Sequence, residues 1–315
     1  MQQLQGGRLI ASFILAAVVA SGWANSIMAQ DDAPASPRDV ITLNRLPILD
    51  EPLLPDAGEA DKRDNDAPPP PPVPHPLAPA MKIAHRSYEF LTNNVQDYSC
   101  RVVKQERVDG RLLPVEYIDA KVRQQWSTNG RLVHPRSLYL KFLAPEEAVG
   151  REVLWVEGHN DNKMIVRRGG RRFNYVTVEL DPTSESAMRD SNYPVYDSGM
   201  LAMVRSLIEI GEADMKYGEC EVDFFHDVKI DGRDCMCIQV KHPRPRSQFK
   251  FHIARIFVDD EYPIPLRYEA YDWPEEEGGQ PPLLEQFTFQ HVKLDVGFRD
   301  AEFRRDFSEY RFRDR

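Results

Sequence analysis

Between Arg101 and Val296 the chain repeats one device: short runs in which apolar and polar side chains alternate, each closed by a cluster of Gly, Pro, Asn or Asp. In residues 137–142, Leu138, Leu140 and Phe142 fall on one side of the run, and Tyr139 and Lys141 on the other. Phe249, Phe251 and Ile253 alternate with Lys250 and His252, Leu266, Tyr268 and Ala270 with Arg267 and Glu269, and Phe287 and Phe289 with Gln286, Thr288 and Gln290. Successive side chains of a strand point to opposite faces of its sheet. The period therefore demands antiparallel strands with one wet face and one that something apolar must cover. Hairpin signals sit where the runs break, at Asp109-Gly110, Asn129-Gly130, Gly169-Gly170 and Asp231-Gly232. Such pairs admit the positive φ angles of tight turns.

Strands are predicted near residues 98–108, 117–126, 137–143, 152–156, 163–167, 173–179, 221–230, 235–241, 248–258, 266–272 and 284–296. Two helices interrupt the series. One is predicted over 81–91, after Pro79 and before Asn93-Asn94, with Ile83, Ala84, Ser87, Tyr88 and Leu91 at helical spacing. The other is predicted over 200–210, ending at Gly211, with Met200, Met203, Val204 and Leu207 on one face. The expected fold is mainly β (α+β): a curved antiparallel sheet of about ten strands, an unclosed half-barrel, with helices packed on its concave face.

The N-terminal quarter does not read as foldable. Residues 1–29 carry one early cation, Arg8, then an apolar run from Leu9 to Ala20 and small residues ending at Ala24 and Ala29. That is the layout of a secretory signal cut after either alanine. The alternative is an uncleaved N-terminal membrane anchor, for which the run falls short of the ~20 residues of a full span. Residues 30–79 are rich in Pro, Ala, Asp and Glu, with Pro68 to Pro72 uninterrupted. Such a segment extends as polyproline II, builds no core and reads as a disordered tether. The folded domain is expected over residues 80–315.

The formal net charge is −10, from 40 basic and 50 acidic residues in mixed short blocks. No basic stripe of a nucleic-acid binder is present, and simple adhesion to anionic lipid heads is disfavoured. The four cysteines permit three pairings. Cys235 and Cys237 share a strand face and are poorly placed to bond each other. Pairing of one of them with Cys100 or Cys220 stays open, as does the reading that several are small buried hydrophobes.

No nucleophile elbow, zinc signature, phosphate loop or dinucleotide fingerprint is present, so no catalytic residue, cofactor or metal is assigned. The run Arg167-Arg168-Gly169-Gly170-Arg171-Arg172 offers guanidinium forks for a phosphate or carboxylate, or is a solvated hairpin tip. Residues 158–163 are rich in side-chain oxygens but lack the trailing Glu of a calcium loop, and read as Asx-turn chemistry. An unrecognised enzymatic site would rest on Arg151, Glu157 and His159. The methionines of the second helix read as core gap-fillers, or alternatively suit an irregular apolar guest.

The run from Gly150 through Glu152-Val153-Leu154-Trp155 to Asp161, then Leu180-Asp181-Pro182, Ala187-Met188, Tyr193-Pro194 and Ser198-Gly199-Met200, resembles a family of exported bacterial proteins known as domain of unknown function 1571. The likeness spans about Met81 to Phe307. More distantly, the order helix, strands, inserted helix, strands, with Phe303 and Phe307 in a closing segment, resembles the lipoprotein-carrier half-barrel of LolA and LolB. The first resemblance implies export, and the second a space for acyl chains between sheet and helices. The chain is accordingly expected to be a non-enzymatic periplasmic or cell-envelope protein holding a lipid or lipoprotein acyl chain. Leu138, Leu140, Phe142, Trp155, Met200, Met203, Phe251 and Ile253 would line its site. The alternative expectation is a tethered scaffold module with a fully packed core that docks an envelope protein. Nucleic acid is not an expected partner.

Overall fold

The computed structural model describes residues 44–45, 74–172, 175–276 and 278–312. The expected export signal, and the expected tether apart from residues 44–45 and 74–79, lie outside the described residues. Within that tether stretch, β1 (Asn44–Arg45) pairs with His226 and Phe225. An open strand edge offers backbone donors and acceptors to an extended segment that reaches it.

From α1 (Ala78–Asn93) the chain enters an antiparallel meander. Its members are β2 (Asp97–Val108) with the short β3 (Arg111–Leu112), β4 (Glu116–Arg123), β7 (Ser137–Ala144), β8 (Glu152–Val156), β9 (Met164–Arg167) and β10 (Thr177–Leu180). A separate hairpin of β5 (Trp126–Thr128) and β6 (Arg131–His134) lies between β4 and β7. A strap, residues 181–199, contains the short α2 (Glu185–Met188) and leads into α3 (Met200–Asp214). A second meander follows: β11 (Glu221–Ile230), β12 (Arg233–Lys241), β13 (Ile253–Asp259), β14 (Pro265–Tyr271) and β15 (Leu283–Leu294). β15 returns to pair with β2, so the two meanders meet inside one 13-stranded sheet. Its ends, β1 and β10, do not pair with each other, which leaves the sheet unclosed. All described residues belong to one unit, residues 41–315.

Three strands differ from expectation; among the described residues the run expected over 173–179 is a strand only from Thr177. The run expected to reach Trp126 stops at Arg123, because Trp126 belongs to the hairpin turned by Asn129 (φ 52) and Gly130 (φ 73). The strand expected from Gln248 begins only at Ile253. Phe249 leaves the ladder to stack on the buried His242 ring, with centroids 3.9 Å apart, while the Phe251 carbonyl meets Nδ1 of the same imidazole at 3.1 Å.

α1 starts at Pro79 within its first turn, where a missing N–H costs nothing, and buries Ala80, Met81, Ser87 and Leu91. Tyr88, expected on that face, is exposed. The helix packs on α3 at Gly211, where an added Cβ would overlap the Met81 sulfur. Together the helices cover the concave side: Met200 and Val204 share one core cluster with Leu138, Val122 and Trp155, and Met81 shares another with Ile238, Val240 and Ala254. The convex side of β7 and β8 is covered too. Phe298, Phe303, Phe307 and Tyr310 of the C-terminal tail pack on Tyr139, Leu154 and Val156, with the Tyr139 and Tyr310 rings stacked 3.8 Å apart. The tail is tied down where the Arg311 N–H donates to buried Glu152 at 2.8 Å. This explains the unbroken apolar run Val153 to Val156, since a strand covered on both faces loses its alternation.

All four cysteines are free; Cys100, Cys235 and Cys237 are buried and Cys220 is half-buried. Burial pushes the Cys235 and Cys237 thiols up to about 12, which suits small hydrophobes rather than reactive groups.

Candidate functional site

Helices and sheet do not close completely on one another. A cavity of about 900 Å³ lies over the concave face of β2, β4, β7, β8 and β9, roofed by α3 and the strap. Its floor follows from the strand register. Leu138, Leu140 and Phe142 of β7 stand opposite Val122, Ala120 and Ile118 of β4, and Leu140 stands opposite Val153 of β8. Ala120 in turn faces Cys100 on β2. Two small side chains side by side at the middle of the floor leave the hollow that larger ones would fill. Ala202, Met203 and Leu207 of α3 form the roof, and Phe287 and Phe289 of β15 the far wall.

Of the eight residues expected to line a site, Leu138, Leu140, Phe142 and Met203 line this cavity. The other four expected residues do not. Trp155 shares the concave face but is closed off, its indole N–H donating to the Asn162 carbonyl at 3.1 Å and its ring lying 5.9 Å from that of Tyr196. Met200 is 0% exposed and sits in the core at the start of α3. Phe251 lines a second, much smaller pocket between the helices and β12 to β14, about 70 Å³ in volume. Ile253 lines neither, because it opens β13 on the side of Arg255 while Ala254, Ile256 and Val258 face the helices. The alternation Phe249, Phe251, Ile253 is not one strand face, since only the last residue belongs to the strand.

α3 is held over the cavity by an unusual cap. Gly199 (φ 98, ψ 169) supplies no side chain, and the Met200 N–H instead donates to the hydroxyl of Tyr98 at 2.9 Å. Tyr98 is 0% exposed and lies on β2, far away in sequence.

Residues 95–312 match the model of a family described as protein of unknown function, DUF1571. The chain belongs to this family. No curated protein matches it. Solved structures that align with this chain include the Pseudomonas aeruginosa MucA/MucB complex, at 17% identity and TM-score 0.42, covering 72% of this chain and 61% of that one. LprF from Mycobacterium bovis aligns at 15% identity and TM-score 0.38, covering 72% and 97%. A LolA superfamily protein from Nitrosomonas europaea aligns at 9% identity and TM-score 0.29, covering 72% and 98%.

In this DUF1571 chain the cavity has a polar end that the sequence did not disclose. Lys104 stands 2.5 Å from Glu106 and 3.2 Å from Glu116. Burial works against the Lys104 charge, but the two carboxylates outweigh it and raise its pKa. Glu106, 2% exposed, also accepts the Asn192 N–H at 3.0 Å and the Ser191 hydroxyl at 3.2 Å. Next to it the Tyr193 hydroxyl donates to Glu285 at 2.8 Å. The strap is thus fastened to β2 and β15 by three consecutive residues. Burial pushes the Glu285 carboxyl up to about 6; the Glu106 charge acts in the same direction, and hydroxyls of Tyr193 and Tyr268 oppose it.

An acid whose pKa rises on folding binds its proton more tightly in the native state, so ionising Glu285 costs stability as pH climbs from 4.5 through about 6. Glu285→Gln, which keeps a carbonyl for the two hydroxyls, is expected to be more stable than the wild type by about 1 kcal/mol at pH 7.5 and to lose that advantage by pH 4.5. Urea unfolding at both pH values checks this; an equal difference at the two would contradict it.

The residues of a conceivable enzymatic site are not brought together. Arg151 lines the cavity beside Asp190, 3.8 Å away, whereas Glu157 and His159 are exposed in the turn after β8. That turn spends its oxygens on itself, Asn162 Oδ1 accepting the Gly158 N–H at 2.7 Å.

Proposed function

We propose that this chain is a non-enzymatic binding protein of the cell envelope that shelters the apolar part of a lipid or lipoprotein acyl chain between its sheet and α3. The observation that carries the reading is the cavity of about 900 Å³ floored by Leu138, Leu140 and Phe142. Small-molecule sites run from about 300 to 1,000 Å³ and are mostly apolar. Each methylene moved from water into such a space gains ~0.8 kcal/mol, so a long chain is held without covalent or ionic help. The hollow also speaks against the scaffold reading, which requires a fully packed core. Residues 1–29 as an export signal and 30–79 as a tether would carry the domain into the envelope, where such ligands reside.

Mass spectrometry of organic extracts tests the proposal, using protein purified under mild conditions from its native envelope. A near-stoichiometric lipid or acylated peptide, absent from an unrelated exported protein prepared alongside, is the expected result. Protein that is folded and lipid-free overturns it.

A further inference from the structure

We infer that the ligand carries an anionic headgroup, a phosphate or carboxylate, clamped at the cavity rim by Arg151, Arg168 and Arg189; the inference rests on the acyl-binding reading above. Arg168 follows β9 within the Arg-Arg-Gly-Gly-Arg-Arg run, which the sequence read as a solvated hairpin tip in preference to an anion clamp. The structure distinguishes them, because this tip does not stand free. The Gly170 N–H donates to the Val149 carbonyl at 2.9 Å, Arg167 Nη1 donates to the Gly150 carbonyl, and a Cβ on Gly169 would overlap the Ala148 carbonyl. The tip is folded onto the turn between β7 and β8, and Arg168 thereby becomes part of the cavity lining.

Register brings its partners alongside. Glu152 pairs with Arg167 across β8 and β9, so Arg151 and Arg168 are neighbours at that end of the ladder. Arg151 reaches Asp190 of the strap at 3.8 Å, which places Arg189 beside the same rim, and all three arginines line the cavity. Two carboxylates, Asp190 and Glu147, line this stretch as well. Among the described residues, Arg168 and Arg189 have no carboxylate within 4.0 Å and are exposed. Guanidinium groups with unused forks, at the mouth of an apolar hollow, match an amphiphile whose chain goes in and whose phosphate or carboxylate stays at the entrance.

The test compares two single-chain ligands of equal acyl length, lysophosphatidylglycerol and the uncharged monoacylglycerol, on delipidated full-length protein by displacement of a fluorescent fatty acid. The wild type is expected to bind the anionic lipid about tenfold or more tightly, as two charge-assisted forks provide. The variant R168Q/R189Q, altered only at exposed side chains, is expected to bind both within about twofold and to keep the wild-type affinity for the monoacylglycerol. Equal affinities in the wild type, or a preference that survives the double substitution, overturn the headgroup clamp alone. Failure of both lipids to bind overturns the acyl-binding reading, and with it the assignment of the clamp to a lipid headgroup. Inorganic phosphate is titrated calorimetrically in parallel. Binding of it alone, lost in the variant, keeps the anion site but assigns it to free phosphate.

Discussion

Leu140→Asp is expected to weaken binding of a long-chain fatty acid by two orders of magnitude or more while the protein still folds. Leu140 is half-buried, on the cavity floor between Ala120 and Val153. In the empty protein a carboxylate there shares the cavity with water. Once an acyl chain enters, the same charge loses its hydration with no counter-ion in contact, and burying an unpaired charge costs several kcal/mol. The penalty falls on the complex and not on the free fold, so it appears as lost affinity. Ala120→Leu approaches the same point from the opposite side, filling the hollow with carbon. It is expected to reduce binding at least tenfold with stability unchanged or raised, since the added methylenes enter an existing void. Fluorescence titration read beside the urea midpoint checks both; affinity within twofold of wild type for either would contradict the placement of the ligand.

The second large effect is expected at the cap of α3. Gly199 has φ 98, a conformation that L side chains adopt only under strain, and an added Cβ would lie 2.6 Å from the Tyr98 hydroxyl oxygen. That oxygen cannot move away freely, because it accepts the Met200 N–H in a fully buried setting. Gly199→Ala is expected to cost about 4 kcal/mol, the sum of about 1–3 for the backbone and about 1–3 for a disturbed buried hydrogen bond. This is a large share of the 5–15 kcal/mol that holds a typical domain. Tyr98→Phe alone leaves the Met200 N–H unpaired and is expected to cost about 2 kcal/mol. In the double variant the steric conflict is gone, so its cost should fall below the sum of the two singles. Additive costs in urea unfolding would show that the hydroxyl and the glycine do not act on each other.

What was legible in the sequence was local. Side-chain alternation marked most strands, and the pairs Asp109-Gly110, Asn129-Gly130 and Asp231-Gly232 marked turns in which both residues have positive φ. The floor residues Leu138, Leu140 and Phe142 were readable for the same reason, as one face of one strand. Their partners were not. Phe287, Phe289 and Glu285 join the cavity because β15 pairs with β2, a contact between chain segments far apart that no local period announces. Phe251 and Ile253 lie outside this cavity because β13 starts only at Ile253, after Phe249 has turned away to stack on His242. The covered convex face of β7 and β8 depends on a tail whose aromatics show no clean period, and the strap is fixed by Glu106 and Glu285 acting at long range. Arg168 was recognised as a possible clamp, but only docking of the tip on Ala148 to Gly150 puts it at the rim.

Ligand binding as proposed requires a hollow between sheet and α3 that the polypeptide leaves open to an apolar chain. The most direct measurement is a crystal structure of delipidated protein soaked with a terminally brominated long-chain fatty acid, read through the anomalous signal of bromine. The expected result is a bromine peak inside the cavity, between Leu140 and Met203, with chain density leading out toward the rim. A peak elsewhere on the protein, or a cavity closed by α3 settling onto Leu138 and Phe142, would contradict it.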